Sequence, residues 1–181
     1  MIGPAEALES EAVRPQWLIP IAGWCAYLSG IVSVFGIACL VALYMTLFAY
    51  GEDVGFGRLN DVSVIIHYSL TLPIALVLRQ LLHQNGPGLS LIGLLLGVSG
   101  MVSVIVLQAL LVVGVLSFGQ QVGFVILAFV PIVAWFVING RLGDSSDIPP
   151  GSMCLQVLGG LYFGYPIWAF SLGRRLLALR N

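Results

Sequence analysis

Apolar and polar positions in this chain fall in long blocks, with none of the short rhythm of a soluble domain. Residues 15–51 contain no charged side chain. About 20 consecutive apolar residues cross the hydrocarbon core of a bilayer, so this block predicts a first helix over 19–50, long enough to tilt or protrude. Trp17 and Trp24 suit the near membrane interface, and Tyr44 and Tyr50 the far one. Residues 51–61 are polar and form a first loop. A second helix follows over 62–82, with Asn60 and Asp61 as N-caps and with Arg79 and His83 complementing its dipole at the far end. Gly86-Pro87-Gly88 ends it.

Residues 80–140 hold no Asp, Glu, Arg or Lys. That stretch is too long for one span, and the polar residues 117–121 divide it. A third helix is expected over 89–116 and a fourth over 122–139. Residues 141–151, with Asp144, Asp147 and Pro149-Pro150, make a polar turn. A fifth helix is expected over 152–172, leaving the membrane at Arg174-Arg175. Pro73, Pro131 and Pro166 each fall inside a helix, where a kink is tolerable if neighbours satisfy the freed carbonyl. The fold class is therefore all-α: a polytopic transmembrane bundle of about five spans, read as two hairpins plus a fifth helix. Residues 1–16 form an exposed acidic tail ahead of a single transmembrane domain over 17–179. The tail is acidic and the core after it long, unlike a cleaved secretory signal.

Composition agrees and narrows the chemistry. Of the 181 residues, 59% are hydrophobic and 8% charged, and the mean hydropathy is +1.04. A soluble domain carries roughly 25% charged residues. Lipid is the solvent that suits this balance. The net charge of −1 offers nucleic acid no basic surface. All seven basic residues are Arg, so a Schiff-base lysine and a phosphate-binding lysine of the Walker type are both excluded. Cys25 and Cys39 stand roughly 21 Å apart along one helix, beyond disulfide reach. There is no CxxC pair for zinc or redox chemistry. No cofactor is expected.

Small residues make the clearest pattern. Ala22, Ala26, Ser29, Ser33 and Gly36 form one stripe on the first helix, Gly93, Gly97 and Gly100 another on the third, and Gly160 and Gly164 a pair on the fifth. In lipid, helices associate by close contact, which small residues permit. Packing within the chain is the plain reading. Docking of another membrane subunit, or a second copy, is the sharper one, and the fifth helix is its candidate because two hairpins would leave it unpaired.

His67 is the single residue with most chemical scope, as an ionisable group inside a span. A proton relay, pigment or haem could use it, with Glu52, Asp53, Arg58 and Asp61 ahead of it on the same side. A bis-His haem fails on geometry, because His83 lies roughly 24 Å away on the same helix. The alternative is a structural, hydrogen-bonded histidine. The polar cluster itself could hold an ion or head group, against the simpler reading of a solvated loop. Gln108 and Gln156 read as interhelical hydrogen-bonders, and Arg79 with His83 as a lipid-phosphate pair or a snorkelling helix end.

Tyr50-Gly-Glu-Asp-Val-Gly-Phe56 returns as Phe118-Gly-Gln-Gln-Val-Gly-Phe124, each at the exit of an odd-numbered helix. Duplication with a shared orientation and shared turn chemistry both explain it. The run Gly164-Tyr-Pro-Ile-Trp168 followed by Leu172-Gly-Arg-Arg-Leu176 resembles the tail of small uncharacterised bacterial multi-pass membrane proteins. That resemblance covers the last helix, implies no activity, and suggests a bacterial plasma membrane. Five spans put the termini on opposite sides. Arginine counts barely discriminate the sides, and the Arg174-Arg175 pair favours an outside N-terminus and a cytoplasmic C-terminus. The leading expectation is a non-catalytic accessory subunit or helper packing against membrane partners. A small-solute or lipid carrier comes second, ahead of a pigment- or haem-binding protein or a membrane enzyme.

Overall fold

The structure is a computed structural model that describes residues 17–52, 55–144 and 163–179. It is a helical bundle. Helices α1 (Leu18–Tyr50), α2 (Phe56–Leu82), α3 (Pro87–Val112), α4 (Phe118–Asp144) and α5 (Tyr165–Ala178) follow in order, with a 3₁₀ turn at His83–Asn85. No strand occurs among the described residues. The first four helices are each long and apolar enough to cross a bilayer. The 14 residues of α5 span roughly 21 Å at 1.5 Å per residue, short of the roughly 30 Å hydrocarbon core. The first part of the fifth segment expected over 152–172 lies outside the described residues, as do Gly160, Gln156 and the acidic tail.

Helix ends differ from the sequence expectation for local reasons. Between α1 and α2 the chain reverses within a few residues, because Gly51 and Gly55 both take positive φ (77° and 105°). Glycine reaches that region without a Cβ clash. Helix α2 therefore starts at Phe56, six residues early, and Asn60 and Asp61 lie within it instead of capping it. Helix α3 opens on Pro87, whose missing N–H costs nothing in a first turn. It stops before Gly114, which takes φ 79°. Helix α4 begins four residues earlier than expected. The backbone N–H and the hydroxyl of Ser117 donate to Gln120 Oε1 at 3.1 and 2.9 Å, so Gln120 reaches back over the helix start. Pro166 sits in the first turn of α5, where it starts that helix and introduces no kink.

The two similar runs take different backbone conformations at their glycines. In the first copy Gly51 and Gly55 make a tight reversal, whereas Gly119 and Gly123 are ordinary helical residues of α4. The shared letters serve different structures.

Adjacent packing runs α5, α1, α2, α3, α4. The series closes on itself where Trp168 of α5 meets Trp135 and Phe136 of α4, at centroid separations of 6.1 and 5.0 Å. The fifth helix is thus not unpaired. Tyr165, Pro166, Trp168, Ala169, Leu172, Gly173 and Leu176 are all buried, which removes the stated reason for choosing it as a docking surface.

Helix α5 also runs antiparallel to α1. A Cβ on Gly23 would meet Leu177, one on Gly30 would meet Phe170, and one on Gly173 would meet Tyr27. Leu18 and Ala178 consequently lie at one end of the bundle, contrary to the opposite-side termini expected from five spans. Arg79, Arg141, Arg174 and Arg175 all fall at that end; Arg58 is at the other.

Candidate functional site

Where α1, α2 and α5 meet, each contributes polar groups to one buried cluster. Ser29 is fully buried on α1 and donates to Ala26 O at 3.0 Å. Thr71, one turn beyond His67 on the same face of α2, donates to His67 O at 2.8 Å. The Tyr165 hydroxyl of α5 lies between them, 3.0 Å from Ser29 Oγ and 2.8 Å from Thr71 Oγ1. Each hydroxyl carries one proton. Three protons make three of the four contacts at a time, so whichever of Ser29 and Thr71 donates to Tyr165 gives up its own carbonyl.

His67 lies against this cluster, 5% exposed. Its Nδ1 is 3.4 Å from Ser29 O. A carbonyl only accepts, so Nδ1 is the donor in this long, weak bond. The imidazole packs edge-on against Tyr165 and Tyr68, with centroids 4.1 and 4.6 Å apart. A narrow crevice beside the ring is lined by Ser33 and Gly36 of α1 and by Ser63 and Val64 of α2. Beyond Tyr165 the interior is aromatic, filled by Phe136, Trp168 and Trp135. No three His, Cys, Asp or Glu side chains come together among the described residues. The arrangement links helices by hydroxyls and ring edges.

The small-residue stripes are buried. Ala22, Ala26, Ser29, Ser33 and Gly36 all face the interior from α1, and Gly93, Gly97 and Gly100 do so from α3. The α3 glycines receive large side chains of α4: a Cβ would fall 2.9 Å from Ile138 at Gly93 and 2.6 Å from Trp135 at Gly97. Gly164 is buried just ahead of α5. Gln108 is buried, but its Oε1 has no hydrogen-bond partner among the described residues, unlike the interhelical bond expected of it. Cys25 and Cys39 are free thiols.

The polar cluster of the first loop is described only in part. Glu52 is exposed, and Asp53 lies outside the described residues. Arg58 and Asp61 sit one turn apart on α2 and line an apolar groove of about 440 Å³.

The sequence reading missed Tyr165 and Thr71 as site residues. Thr71 had a usable signal, its i+4 spacing from His67 on one helix face. Tyr165 had none, because α5 reaches its neighbours only through tertiary packing. No family model, curated protein or solved structure matches this chain.

Proposed function

We propose that the protein is a non-catalytic integral membrane protein, an accessory subunit or helper that acts by packing against other membrane components. The observation that carries this reading is the closure of the Tyr165 cluster. Its few protons are taken up by contacts within it, and rings seal its flank, so the polar groups at the centre join helices. Purification in mild detergent, followed by native mass and an absorption spectrum, tests it. A colourless complex larger than the protomer is expected. A coloured preparation, or a bare monomer, overturns it.

A lipid carrier is the second reading, and the amphipathic groove at the mouth of α2 favours it. The ring-filled centre lends no support to a route for small solutes.

Orientation belongs to the same proposal. Cytoplasmic ends of membrane proteins carry an excess of Lys and Arg. Among the described residues, four arginines lie at the α1-start end against Arg58 at the other, and on this reading the start of α1 and the end of α5 both face the cytoplasm. This replaces the outside N-terminus expected above. Glu52→Cys should then be labelled by a membrane-impermeant thiol reagent in intact cells, while Arg174→Cys stays unlabelled until the membrane is opened. The reverse pattern refutes the assignment.

A further inference from the structure

At the Arg79 end of the bundle, donors from α2, α3 and α4 come to one level, and two of them are buried without an acceptor. Helix α3 packs against both α2 and α4, so its first turn stands between Arg79 and the last turns of α4. Ser90 Oγ donates to Arg79 O at 3.1 Å, and a Cβ on Gly86 would meet Leu142 at 3.0 Å. Helices α2 and α4 run in the same direction, with the rings of Tyr68 and Phe129 6.2 Å apart. Counting on from that contact at roughly 1.5 Å per residue, Arg79 and Asn139 stand at nearly the same depth. Asn139 continues the inward face of Trp135 and Phe136 and is 4% exposed. Its Nδ2 and the Nε of Arg79 are both buried with no hydrogen-bond partner among the described residues. Buried donors are costly to leave unanswered. The start of α3 adds to them. No side chain caps it and its first turn holds no acidic residue, so the exposed N–H groups of Gly88 and Leu89 lack a helical acceptor.

We propose that this end of the bundle binds a phosphate group, with Arg79, Asn139 and the first N–H groups of α3 as its donors. Donors alone call for a ligand that only accepts, and a phosphate has oxygens enough to answer three helices at once. The planar fork of Arg79 matches two of them. An anion is also what the uncapped start of a helix favours. Charge at this end agrees. Among the described residues, Asp144 is the one carboxylate residue here, against Arg79, Arg141, Arg174 and Arg175. Depth points to the source. Arg79 lies in the last turn of α2, at the level where lipid head groups meet the hydrocarbon core. The carrier is therefore a phospholipid of net negative charge, because a choline would bring a further cation to four arginines. Free phosphate offers the same chemistry without the acyl chains. The inference rests on these donors and stands whether or not the protein proves to be an accessory subunit.

The test is retention of defined lipids by the full chain in detergent, read by native mass spectrometry and by melting temperature. Phosphatidylglycerol and phosphatidylcholine of identical acyl chains are added in equal amounts, and inorganic phosphate is titrated in a separate arm. The glycerol lipid should be retained several-fold over the choline lipid and should raise the melting temperature, as a ligand of the folded state does. Arg79→Gln should weaken that retention about tenfold, the scale of a hydrogen bond to a charged group, and remove the rise. Asn139→Leu, which deletes a donor and keeps the bulk, should weaken it in the same direction. Arg174→Gln takes one exposed charge from the same end and should leave both readings nearly unchanged. A rise caused by inorganic phosphate, absent in Arg79→Gln and without lipid preference, supports the site with free phosphate as its source. Equal retention of the two lipids with no response to phosphate overturns the proposal, as do equal losses from Arg79→Gln and Arg174→Gln. So does a lipid-free loss of stability shared by Arg79→Gln and Asp144→Asn, since a carboxylate of the chain would then be the acceptor.

Discussion

Two seams hold this bundle together, and they are built on different physics. Between α3 and α4 the fit is one of shape: glycines at positions 93, 97 and 100 receive Ile138, Trp135 and Ile132. Between α1, α2 and α5 shape is joined by hydrogen bonds. Gly23, Gly30 and Gly173 let the backbones approach, and Ser29, Thr71 and Tyr165 then bond across the gap. The first seam has no adjustable part, since an indole and a backbone carbonyl cannot yield. The second has spare acceptors, because Ser29 and Thr71 each keep a carbonyl of their own helix in reach. The steric seam should therefore be brittle and the polar one forgiving.

The largest effect is expected at Gly100. A Cβ there would stand 2.7 Å from Ile132 Cγ1 and 2.9 Å from the carbonyl oxygen of Ala128. Gly100→Leu should cost at least the roughly 1–3 kcal/mol typical of overpacking, read as loss of folded yield in detergent. Normal yield and melting would place α3 and α4 further apart than described. Ser29→Leu comes next, since it drives a larger side chain at Tyr165 and removes a hydroxyl, and it should also lower the yield. Tyr165→Phe should be milder. Interhelical hydrogen bonds in membranes average about 0.6 kcal/mol, and the hydroxyls left behind keep their carbonyl partners. Its melting temperature should drop by only a few degrees. A loss as large as that of Gly100→Leu would erase the difference between the seams.

The difference also explains what the sequence made legible. Helices long enough to span were readable because lipid imposes length and apolarity on each segment independently. The α1 and α3 stripes were visible because their small residues recur on one helix face. Gly23 and Gly30 escaped, lying one position off the α1 stripe, where they face α5. That contact depends on the direction of α5, which no local pattern encodes. The same gap hid Tyr165 and reversed the placement of Arg174 and Arg175. Helix starts at Phe56 and Phe118 were misjudged by several residues because glycine geometry and the Ser117–Gln120 contact set them, whereas hydropathy marks only the edge of the hydrocarbon.

The central claim is that the polar groups around His67 hold helices together and carry no chemistry, and His67→Gln tests it most directly. Glutamine keeps a hydrogen-bonding amide beside Ser29 O, but it neither titrates near neutral pH nor serves well as a haem or chlorophyll ligand. The variant should be compared with the parent protein by melting temperature, native mass and absorption spectrum in one detergent. The account predicts a melting temperature within a few degrees, the same assembly and an unchanged spectrum. A folded variant that has lost a chromophore, or a proton-coupled transport activity present in the parent, would contradict it.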